Sequence, residues 1–559
     1  MKEKYLHLME LALSAYTDEM VRAYLEKVRS EGLSEHGFPR LTANIGILIS
    51  HGRRTDLLPL FLEMMDLCCE SIPRVKAAND FSVREIIASI WEIERCGAVP
   101  PERIHAWREM LGSINPETCY NQVVKSPTDR LRNWVIFNAL SEFYRQMDGL
   151  TDATEWVDKN LEQQLQWFDD NGMYRDNEHC EIHNPMIYDL VPRALLSLLL
   201  DRGYRGKYYE RIDSYLKTAG KKTLLMQSAN GEVAFGGRSN QFVHNEPWLI
   251  VVYEYEAKRC AREGREELEA VFKSSIERAI AHTEYWLTRA PIYHTKNRYP
   301  TATRYGCEDY AYFDKYMITV ASMLYMAYEI CDDTLGGTYI PDTSASVFET
   351  SEYFSKLFIK CGGYSAELEL NGDEHYDASG LGRVHKVGAP SAICMSLPCP
   401  KKPKYKVDIK NPTALSICAA LPSDDGWVFG ADSAVYEVTS QSNKWTSAEA
   451  LVDARFFDGR VVKERYSVDE SSVYISAEHE GEIAFALPAF EFDGESESEI
   501  TRDDGTLEIK RDGWCCRYTV SGEISDTGTV AANRNGHYRA YLAKATDKID
   551  IKIEVFEIK

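Results

Sequence analysis

Residues Leu190–Leu200 read LVPRALLSLLL, an apolar run interrupted by a single charged side chain. Such a run predicts a buried helix, with Asp189 as its N-cap and Pro192 in its first turn. Apolar residues recur near the helical period on both sides of this run, for example in Ile86–Ile93 and Val271–Leu287. From the first residue to about residue 335, the pattern predicts roughly ten to fourteen helices.

The chain changes character near residue 336. Short runs rich in β-branched and aromatic residues follow, separated by turn signals such as Asp504-Gly505. Many of these runs alternate apolar with polar side chains, as in Ser472–Ala477 and Ile483–Leu487. This alternation is typical of half-buried antiparallel strands, so the sequence predicts a β-sandwich in the second part of the chain.

The helical part shows no heptad pattern and no clean sequence repeat. Helical hairpins without either feature favour a closed (α/α) toroid over an open solenoid. In a toroid the loops at one end of the inner helices leave a cleft that suits a sugar chain. We therefore expect an (α/α) toroid over residues 1–340, followed by an antiparallel β-sandwich over residues 341–559.

The chain has 559 residues and a formal net charge of -23, with no block of lysine or arginine. Such a protein repels phosphates, so we expect no nucleic-acid partner. We find no apolar stretch of the roughly 18 residues that a membrane span needs and no signal peptide, so we expect a cytoplasmic protein without a membrane partner. The 14 cysteines lack zinc spacing and are expected to be free, buried thiols. The sequence leaves open whether the protein forms a homodimer.

The segment Gly236–Glu246, reading GGRSNQFVHNE, concentrates side chains that form hydrogen bonds. Its two glycines let the backbone approach a ligand closely, and Arg238 can bind a carboxylate through two parallel hydrogen bonds. His244 and Glu246 suit proton transfer. Part of the segment also serves the next helix, for which Asn245 is the expected N-cap. Because the polar side chains exceed what a cap needs, we expect a functional site here.

A second cluster lies upstream in Asp176–Asp189, reading DNEHCEIHNPMIYD. His183 can act as a general acid or base, Tyr188 can pass a proton to a leaving oxygen, and Asn184 can hydrogen-bond a developing anion. The alternative is a polar loop that caps the next helix. His179 and His183 have the spacing of metal ligands on a helix, but the loop composition disfavours a helix, so we expect no metal and no cofactor.

A third cluster, Arg304–Tyr316, reads RYGCEDYAYFDKY and combines aromatic rings with charge. Tyr305 and Tyr310 present faces on which sugar rings can stack, and Glu308 presents a carboxylate that sugar hydroxyls can bind. A row of buried tyrosines beside acidic side chains in contact with solvent explains the same pattern equally well. Just upstream, residues 294–298 contain the only local basic group of the region, which suits a substrate carboxylate.

A fourth candidate is Asp377–His385, reading DASGLGRVH, near the junction of the two parts. Arg383 and His385 are expected to reach back over the mouth of the toroid. A tight turn through Gly380 and Gly382 is the competing interpretation.

Three strings carry a family resemblance: GMYRDNEHCEIHNPMIYDL, GGRSNQFVHNE and DASGLGRVH. They resemble bacterial proteins grouped near glycoside hydrolase family 154, which is associated with β-glucuronidase activity. The order of toroid and β-sandwich is also similar to heparinase II/III-like and alginate-lyase-like polysaccharide lyases. The resemblance covers most of residues 120–400. It implies an exo-acting hydrolase that acts on imported oligosaccharides containing uronic acid.

Two mechanisms compete for such a substrate. A hydrolase needs two carboxylates across the scissile bond, for which Glu246 and Glu308 are the first choice. A lyase neutralises the uronate carboxylate, abstracts the C5 proton with tyrosine or histidine, and protonates the leaving oxygen. A glycan-binding protein without catalysis is the third interpretation. The expected catalytic residues are Glu246, Glu308, His244, His183, Tyr188 and Asp189. The expected substrate-binding residues are Arg238, Asn240, Gln241, Asn184, Arg304, Tyr305, Tyr310, Arg383 and His385.

Overall fold

The computed structural model describes residues 1–176, 181–336, 340 and 343–558. A helical part comes first and a part built from antiparallel strands follows, so the predicted fold class is confirmed. The predicted boundary between residues 340 and 341 lies in a stretch of which residue 340 alone is described, and it stays a prediction.

The helices of the first part are mostly 11 to 22 residues long. Their bounds are α1 Lys2–Leu13, α2 Asp18–Glu31, α3 Gly37–Ser50, α4 Leu58–Ser71, α5 Val83–Cys96, α6 Pro101–Gly112, α7 Pro116–Cys119, α8 Trp134–Met147, α9 Thr154–Gln164, α10 Met186–Asp201, α11 Tyr209–Met226, α12 Asn245–Arg262, α13 Glu266–Leu287 and α14 Phe313–Ile330. None of the helices in the described ranges combines the length and the apolarity needed to cross a membrane.

Six of these helices close into a ring. Helix α3 packs on α5, α5 on α8, α8 on α10, α10 on α12, α12 on α14, and α14 packs back on α3. Outer helices α1, α4, α9, α11 and α13 pack against this ring from outside. The ring is therefore the (α/α) toroid that the sequence predicts. Helix α10 contains the run LVPRALLSLLL, which is buried as expected because it contacts neighbours on both sides of the ring.

The second part contains two antiparallel sheets. Their strands are β1 Ser346–Glu349, β2 Lys356–Cys361, β3 Tyr364–Glu369, β4 Gly380–Lys386, β5 Cys418–Ser423, β6 Gly426–Phe429, β7 Ala434–Lys444, β8 Ser447–Phe456, β9 Val461–Asp469, β10 Val473–Phe492, β11 Glu499–Asp503, β12 Thr506–Arg511, β13 Trp514–Val520, β14 Glu523–Asn533 and β15 Gly536–Glu557. A short helix, α15, spans Gly430–Ser433.

The small sheet lies between the toroid and the large sheet. It has the order β1-β2-β3-β4, and the large sheet is built around the long strands β10 and β15. Strands β1 and β2 contact helix α11, while β2 and β3 contact β8 and β9 of the large sheet. A continuous apolar core that includes Leu357, Ile359 and Ile475 fills the space between the sheets. This arrangement fixes the turns of the β-domain against the toroid.

Three local predictions need correction. Helix α10 begins at Met186, four residues earlier than expected, so Asp189 lies in its first turn and is not the N-cap. Helix α12 begins at Asn245, and the side chain of Asn245 instead accepts a hydrogen bond from the backbone N–H of Phe242, at 2.9 Å. The runs Ser472–Ala477 and Ile483–Leu487, predicted as two strands, belong to one long strand, β10. A bulge between the two runs shifts the register of its pairing with β15.

The described cysteines form no disulfide, and all of them except Cys96 are buried. The prediction of free, buried thiols is therefore confirmed for the part of the chain that the structure describes.

Candidate active site at the mouth of the toroid

The amino-terminal ends of the inner helices lie at one end of the toroid. Outer helices separate the inner ones along the chain, so the inner helices run in the same direction. At this end Trp134, the first residue of α8, packs edge-to-face on Phe81 with ring centroids 4.6 Å apart. His36, just before α3, lies 4.8 Å from the same ring. The mouth of the toroid thus has an aromatic wall, of the kind that binds sugar rings.

Three tyrosine hydroxyls converge on one serine at the mouth. Ser239 Oγ lies 2.9 Å from the hydroxyl of Tyr188, 2.9 Å from that of Tyr316 and 3.3 Å from that of Tyr310. Tyr188 belongs to α10, Tyr316 belongs to α14, and Tyr310 precedes α14. Tyr310 is exposed, whereas the other two rings are partly buried. We call Tyr188, Arg238, Ser239, Tyr310 and Tyr316 the mouth cluster.

The backbone around Ser239 is held in an unusual conformation. Ser239 and Gln241 both have left-handed φ angles, of 57° and 61°, and so does His183, at 57°. Such angles are uncommon outside glycine and concentrate at functional sites. Gly237, with a φ of 78°, could not be replaced without strain, because a Cβ there would lie 2.6 Å from Cα of Pro185. The loop therefore brings Ser239 close to the start of α10.

A buried ion pair from the β-domain supports this loop. Glu308 accepts a hydrogen bond of 2.6 Å from the backbone N–H of Ser239. Arg534, in the turn between β14 and β15, binds both oxygens of Glu308, at 2.6 and 2.9 Å. Arg534 also stacks on the ring of Tyr405, 4.1 Å from its centroid. The β-domain thus positions the serine on which the tyrosines converge.

Arg238 lies over the ring of Tyr188, with its guanidinium carbon 4.9 Å from the ring centroid. It forms an ion pair with the buried Asp176 and donates a second hydrogen bond of 3.0 Å to the backbone carbonyl of Asp176. Burial raises the pKa of Tyr188 above its usual value, while the Arg238 charge and the Ser239 hydrogen bond pull it back. Desolvation of its hydroxyl raises the pKa of Tyr310 although part of that side chain is exposed, and burial raises the pKa of Tyr316, so all three phenols are neutral near pH 7.

His183 lies beside the mouth cluster, in a small cavity that Gly237, Asp373 and Asp377 also line. It is partly buried, and burial lowers the pKa of its ring despite the charge of Asp373. The ring is therefore neutral near pH 7 and can accept a proton. Its roles as acid or base stay predictions.

His244, Asn240 and Gln241 lie beneath the mouth cluster. His244 packs edge-to-face on Tyr316 at 4.9 Å and is buried, and burial lowers the pKa of its ring well below the usual value. Asn240 donates to the carbonyl of Ala234, and Gln241 donates to Asn240, both at 3.0 Å. All three side chains are buried, so we expect them to support the cluster from below, and their predicted roles in catalysis and binding stay predictions.

The two carboxylates proposed for hydrolysis are held by different cations. Glu308 is bound on both oxygens by Arg534, as described above. Glu246 is completely buried, and one of its oxygens lies 2.7 Å from Nζ of Lys296. Lys296 lies 3.3 Å from Glu232 as well. No contact among the described residues joins Glu246 to Glu308, so this geometry gives no support to the expected pair.

Other predicted residues have clear structural partners. Asp189 is buried, pairs with Arg193 one turn later and accepts a hydrogen bond of 2.8 Å from the backbone of Tyr174. Arg304 donates to the carbonyls of Glu308 and Asp309, both at 2.8 Å. Asp189 is thus buried, whereas Arg304 stays partly exposed, and the predicted roles of both residues stay predictions.

Tyr305 stacks on Tyr299 with ring centroids 3.6 Å apart and is buried. Asn184 donates 3.0 and 3.1 Å hydrogen bonds to two backbone carbonyls. His179 lies outside the described residues. The predicted roles of Tyr305 and Asn184 in substrate binding stay predictions.

Arg383 and His385 do reach from the β-domain to the toroid, but they lie inside the interface. Arg383 donates to the carbonyl of Val233 at 2.7 Å, and His385 contacts the hydroxyl of Ser228 at 3.1 Å. Each side chain is only 1% exposed. Their position below the surface indicates that they hold the two domains together.

Sequence reasoning missed Ser239, Tyr316 and Arg534. Ser239 and Tyr316 lie within the two strings quoted above, but no chemical motif distinguishes them there. Arg534 lies in the string ANRNGH, which has the Asn-Gly signature of a hairpin turn. Nothing in that string indicates that the arginine crosses to a carboxylate of the toroid, more than 200 residues earlier in the chain.

Comparison with known proteins gives distant structural matches. No family model matches the sequence, and no curated protein matches it. Chondroitin AC lyase of Streptomyces coelicolor A3 is 10% identical with a TM-score of 0.47, over 99% of this chain and 83% of that chain. Heparinase III is 10% identical with a TM-score of 0.37, over 99% and 92%. The heparan sulfate lyase of Pedobacter heparinus is 9% identical with a TM-score of 0.35, over 89% and 75%.

Proposed function

We propose that this protein is a lyase that cleaves uronate-containing oligosaccharides by β-elimination at the mouth of the toroid. One observation carries the proposal: three tyrosine hydroxyls converge on Ser239 beside Arg238, while Glu308 is bound on both oxygens by a buried arginine. The site therefore combines three phenols that can transfer protons, one of them exposed, with a partly exposed arginine, while Glu308 is occupied by Arg534.

The chemistry of elimination matches these groups. Arg238 and the hydroxyls of Tyr310 and Tyr316 bind the uronate carboxylate, which makes the C5 proton more acidic. Tyr188 accepts this proton in the small fraction of molecules in which its hydroxyl is ionised, and the electron pair of the C–H bond forms a C4–C5 double bond. The bond from C4 to the glycosidic oxygen breaks, and a tyrosine hydroxyl of the cluster donates a proton to that oxygen. His183 is the alternative base, because its ring is neutral near pH 7.

Hydrolysis fits the same residues less well. It requires one carboxyl group that acts as an acid and another that acts as a base or nucleophile, some 5 to 10 Å apart. Both oxygens of Glu308 already accept hydrogen bonds from Arg534, and Glu246 is completely buried beside Lys296. The lyase, which the sequence gives as the alternative, therefore takes precedence over the glucuronidase that the family resemblance implies.

The test is turnover of a panel of uronate-containing oligosaccharides, each paired with a control whose uronic acid has been reduced to the neutral sugar. We expect an unsaturated product that absorbs ultraviolet light from the acidic member of at least one pair. The neutral member should give no product, because its C5 proton is no longer activated by a carboxylate. Equal cleavage of both members would contradict the proposal, and binding without any cleavage would favour a glycan-binding protein.

A further inference from the structure

A second concave site lies at the junction of α13 with the β-domain. It is a cavity of about 510 Å³, within the range that small-molecule sites occupy. Asn535, Gln241 and Lys296 form part of its wall. Asn535 follows Arg534 directly, so one turn of the β-domain borders both the cavity and the mouth cluster. We call this cavity the junction cavity.

Two buried acceptors of the junction cavity have no hydrogen-bond donor among the residues that the structure describes. Asn535 uses its amide N–H groups on Gln241 and on the carbonyl of Lys296, at 3.2 and 2.9 Å, while its Oδ1 has no partner. Oε1 of Glu232 also has no partner. Glu232 is 1% and Asn535 is 5% exposed. Because unpaired buried acceptors are costly, both oxygens suit a ligand that brings hydroxyl groups.

His282 does not donate a hydrogen bond to Glu232. Its Nε2 accepts a hydrogen bond of 3.2 Å from the indole N–H of Trp286, so the same nitrogen has no proton to donate to Glu232, which lies 3.5 Å away. Burial lowers the pKa of His282, which keeps the ring neutral. Burial alone would raise the pKa of Glu232, but its surroundings, with the charge of Lys296 foremost, hold it well below its usual value. The carboxylate therefore stays charged and able to accept.

A metal ion is a poor occupant for this group. Ligand atoms of Glu232, Glu246 and His282 lie within 4.8 Å of one another, close enough to coordinate a cation. Nζ of Lys296, however, already lies 3.3 Å from Glu232 and 2.7 Å from Glu246. An ammonium group with three donors supplies the positive charge that an ion would supply.

The rim of the junction cavity is basic although the whole chain carries a net charge of -23. Its cationic side chains include Arg289, Arg298 and Arg511. Arg298 and Arg511 pair with acids, whereas Arg289 contacts Tyr285 and has no carboxylate within 4 Å in the described part of the chain. Arg289 is therefore available to form an ion pair with an anionic group on a ligand.

Aromatic rings complete the junction cavity. Trp286 from α13 and Trp514 from β13 both line it and are partly exposed. The hydrogen bond from Trp286 to His282 fixes the orientation of the first ring. Flat rings of this kind bind the apolar faces of sugars, and a fixed ring loses little entropy on binding.

We propose that the junction cavity is a second binding site, for one acidic sugar residue of the uronic-acid class. The sugar hydroxyls donate to Glu232 and Asn535, its carboxylate pairs with Arg289, and its ring stacks on tryptophan. The choice of a uronate among acidic sugars rests on the function proposed above, whereas the need for an anionic, hydroxyl-rich ligand comes from the cavity alone.

Calorimetric titration with free glucuronate tests this site, with glucose as the neutral control. Neither sugar contains a glycosidic bond, so binding is measured whether or not the protein cleaves oligosaccharides. We expect Arg289→Glu and Trp286→Leu each to remove one binding event or weaken it about tenfold or more. Arg22→Glu, the same charge change at an exposed position on α2, should leave the titration unchanged.

A glucuronate titration that is the same in wild type, Arg289→Glu and Trp286→Leu would overturn the second site. So would equal binding of glucose and glucuronate at the event that these variants remove. Arg289→Gln, which keeps a polar side chain of similar size, guards against misfolding of the charge reversal and should weaken binding in the same direction. Loss of the second site would leave the lyase proposal standing, and absence of turnover would leave the second site standing.

Discussion

Replacing Tyr188 with phenylalanine is expected to lower kcat about 10²–10⁴-fold, the usual contribution of a positioned acid or base. The change removes one hydroxyl, at 2.9 Å from Ser239, and keeps the ring against which Arg238 packs. Stability and substrate affinity should therefore change little. The measurement is steady-state kinetics on the acidic oligosaccharide that gives the most product.

The control for this variant is Tyr209→Phe, on outer helix α11, where the tyrosine ring contacts Arg205. Its kcat should equal that of the wild type. The pH profile adds a second readout. Because the pKa of Tyr188 is raised, the phenolate fraction grows about tenfold for each pH unit below that pKa, so wild-type kcat/KM should rise from pH 7 towards pH 9. A wild-type rate in Tyr188→Phe, or a profile that falls over this range, would exclude Tyr188 as the base.

Replacing Arg534 with methionine is expected to destabilise the protein by about 3–5 kcal/mol, the usual cost of leaving one partner of a buried ion pair uncompensated. Arg534 is 2% exposed and binds both oxygens of Glu308. The same variant should lose activity, because Glu308 holds the backbone N–H of Ser239. The measurements are the urea midpoint of unfolding and kcat.

Arg539→Met is the matched control, since Arg539 lies on β15, just after the turn that holds Arg534, and forms ion pairs at the surface with Glu491 and Asp526. Surface pairs contribute about 0–1 kcal/mol, so this variant should stay close to wild type. The double variant Arg534→Met with Glu308→Gln should be no less stable than Arg534→Met alone, because it removes the uncompensated charge. Equal stability losses at Arg534 and Arg539, or strictly additive losses in the double variant, would mean that the pair does not support the Ser239 loop.

The sequence predicts the fold better than the site, and particular residues explain why. The run at Leu190–Leu200 and the alternation around Ile483–Leu487 are local signals, because burial on every side or on one face fixes the order of apolar residues. The start of α10 was misplaced because Asp189 has the residue type of an N-cap, whereas its side chain binds Arg193 in the next turn.

Site residues depend on contacts that cross the chain. The role of Ser239 comes from tyrosines on α10 and α14 and from a left-handed backbone angle, and none of these leaves a local signature. The sequence does not distinguish Glu246 from Glu308, yet the two carboxylates are buried in different places and pair with different cations. The polarity of the string around His244 predicts a functional region, and that stays a prediction. The order of residues in the string does not reveal which of its side chains reach the mouth cluster and which lie beneath it.

In the proposed reaction the glycosidic bond is broken without the addition of water. The most direct measurement is the mass of the products when an active oligosaccharide is cleaved in water enriched in oxygen-18. We expect an unsaturated uronate that carries no heavy oxygen and that is lighter than the product of hydrolysis by the mass of one water. A saturated uronic acid carrying one heavy oxygen would contradict it, and would return Glu246 and Glu308 to the centre of the mechanism as the residues of a hydrolase.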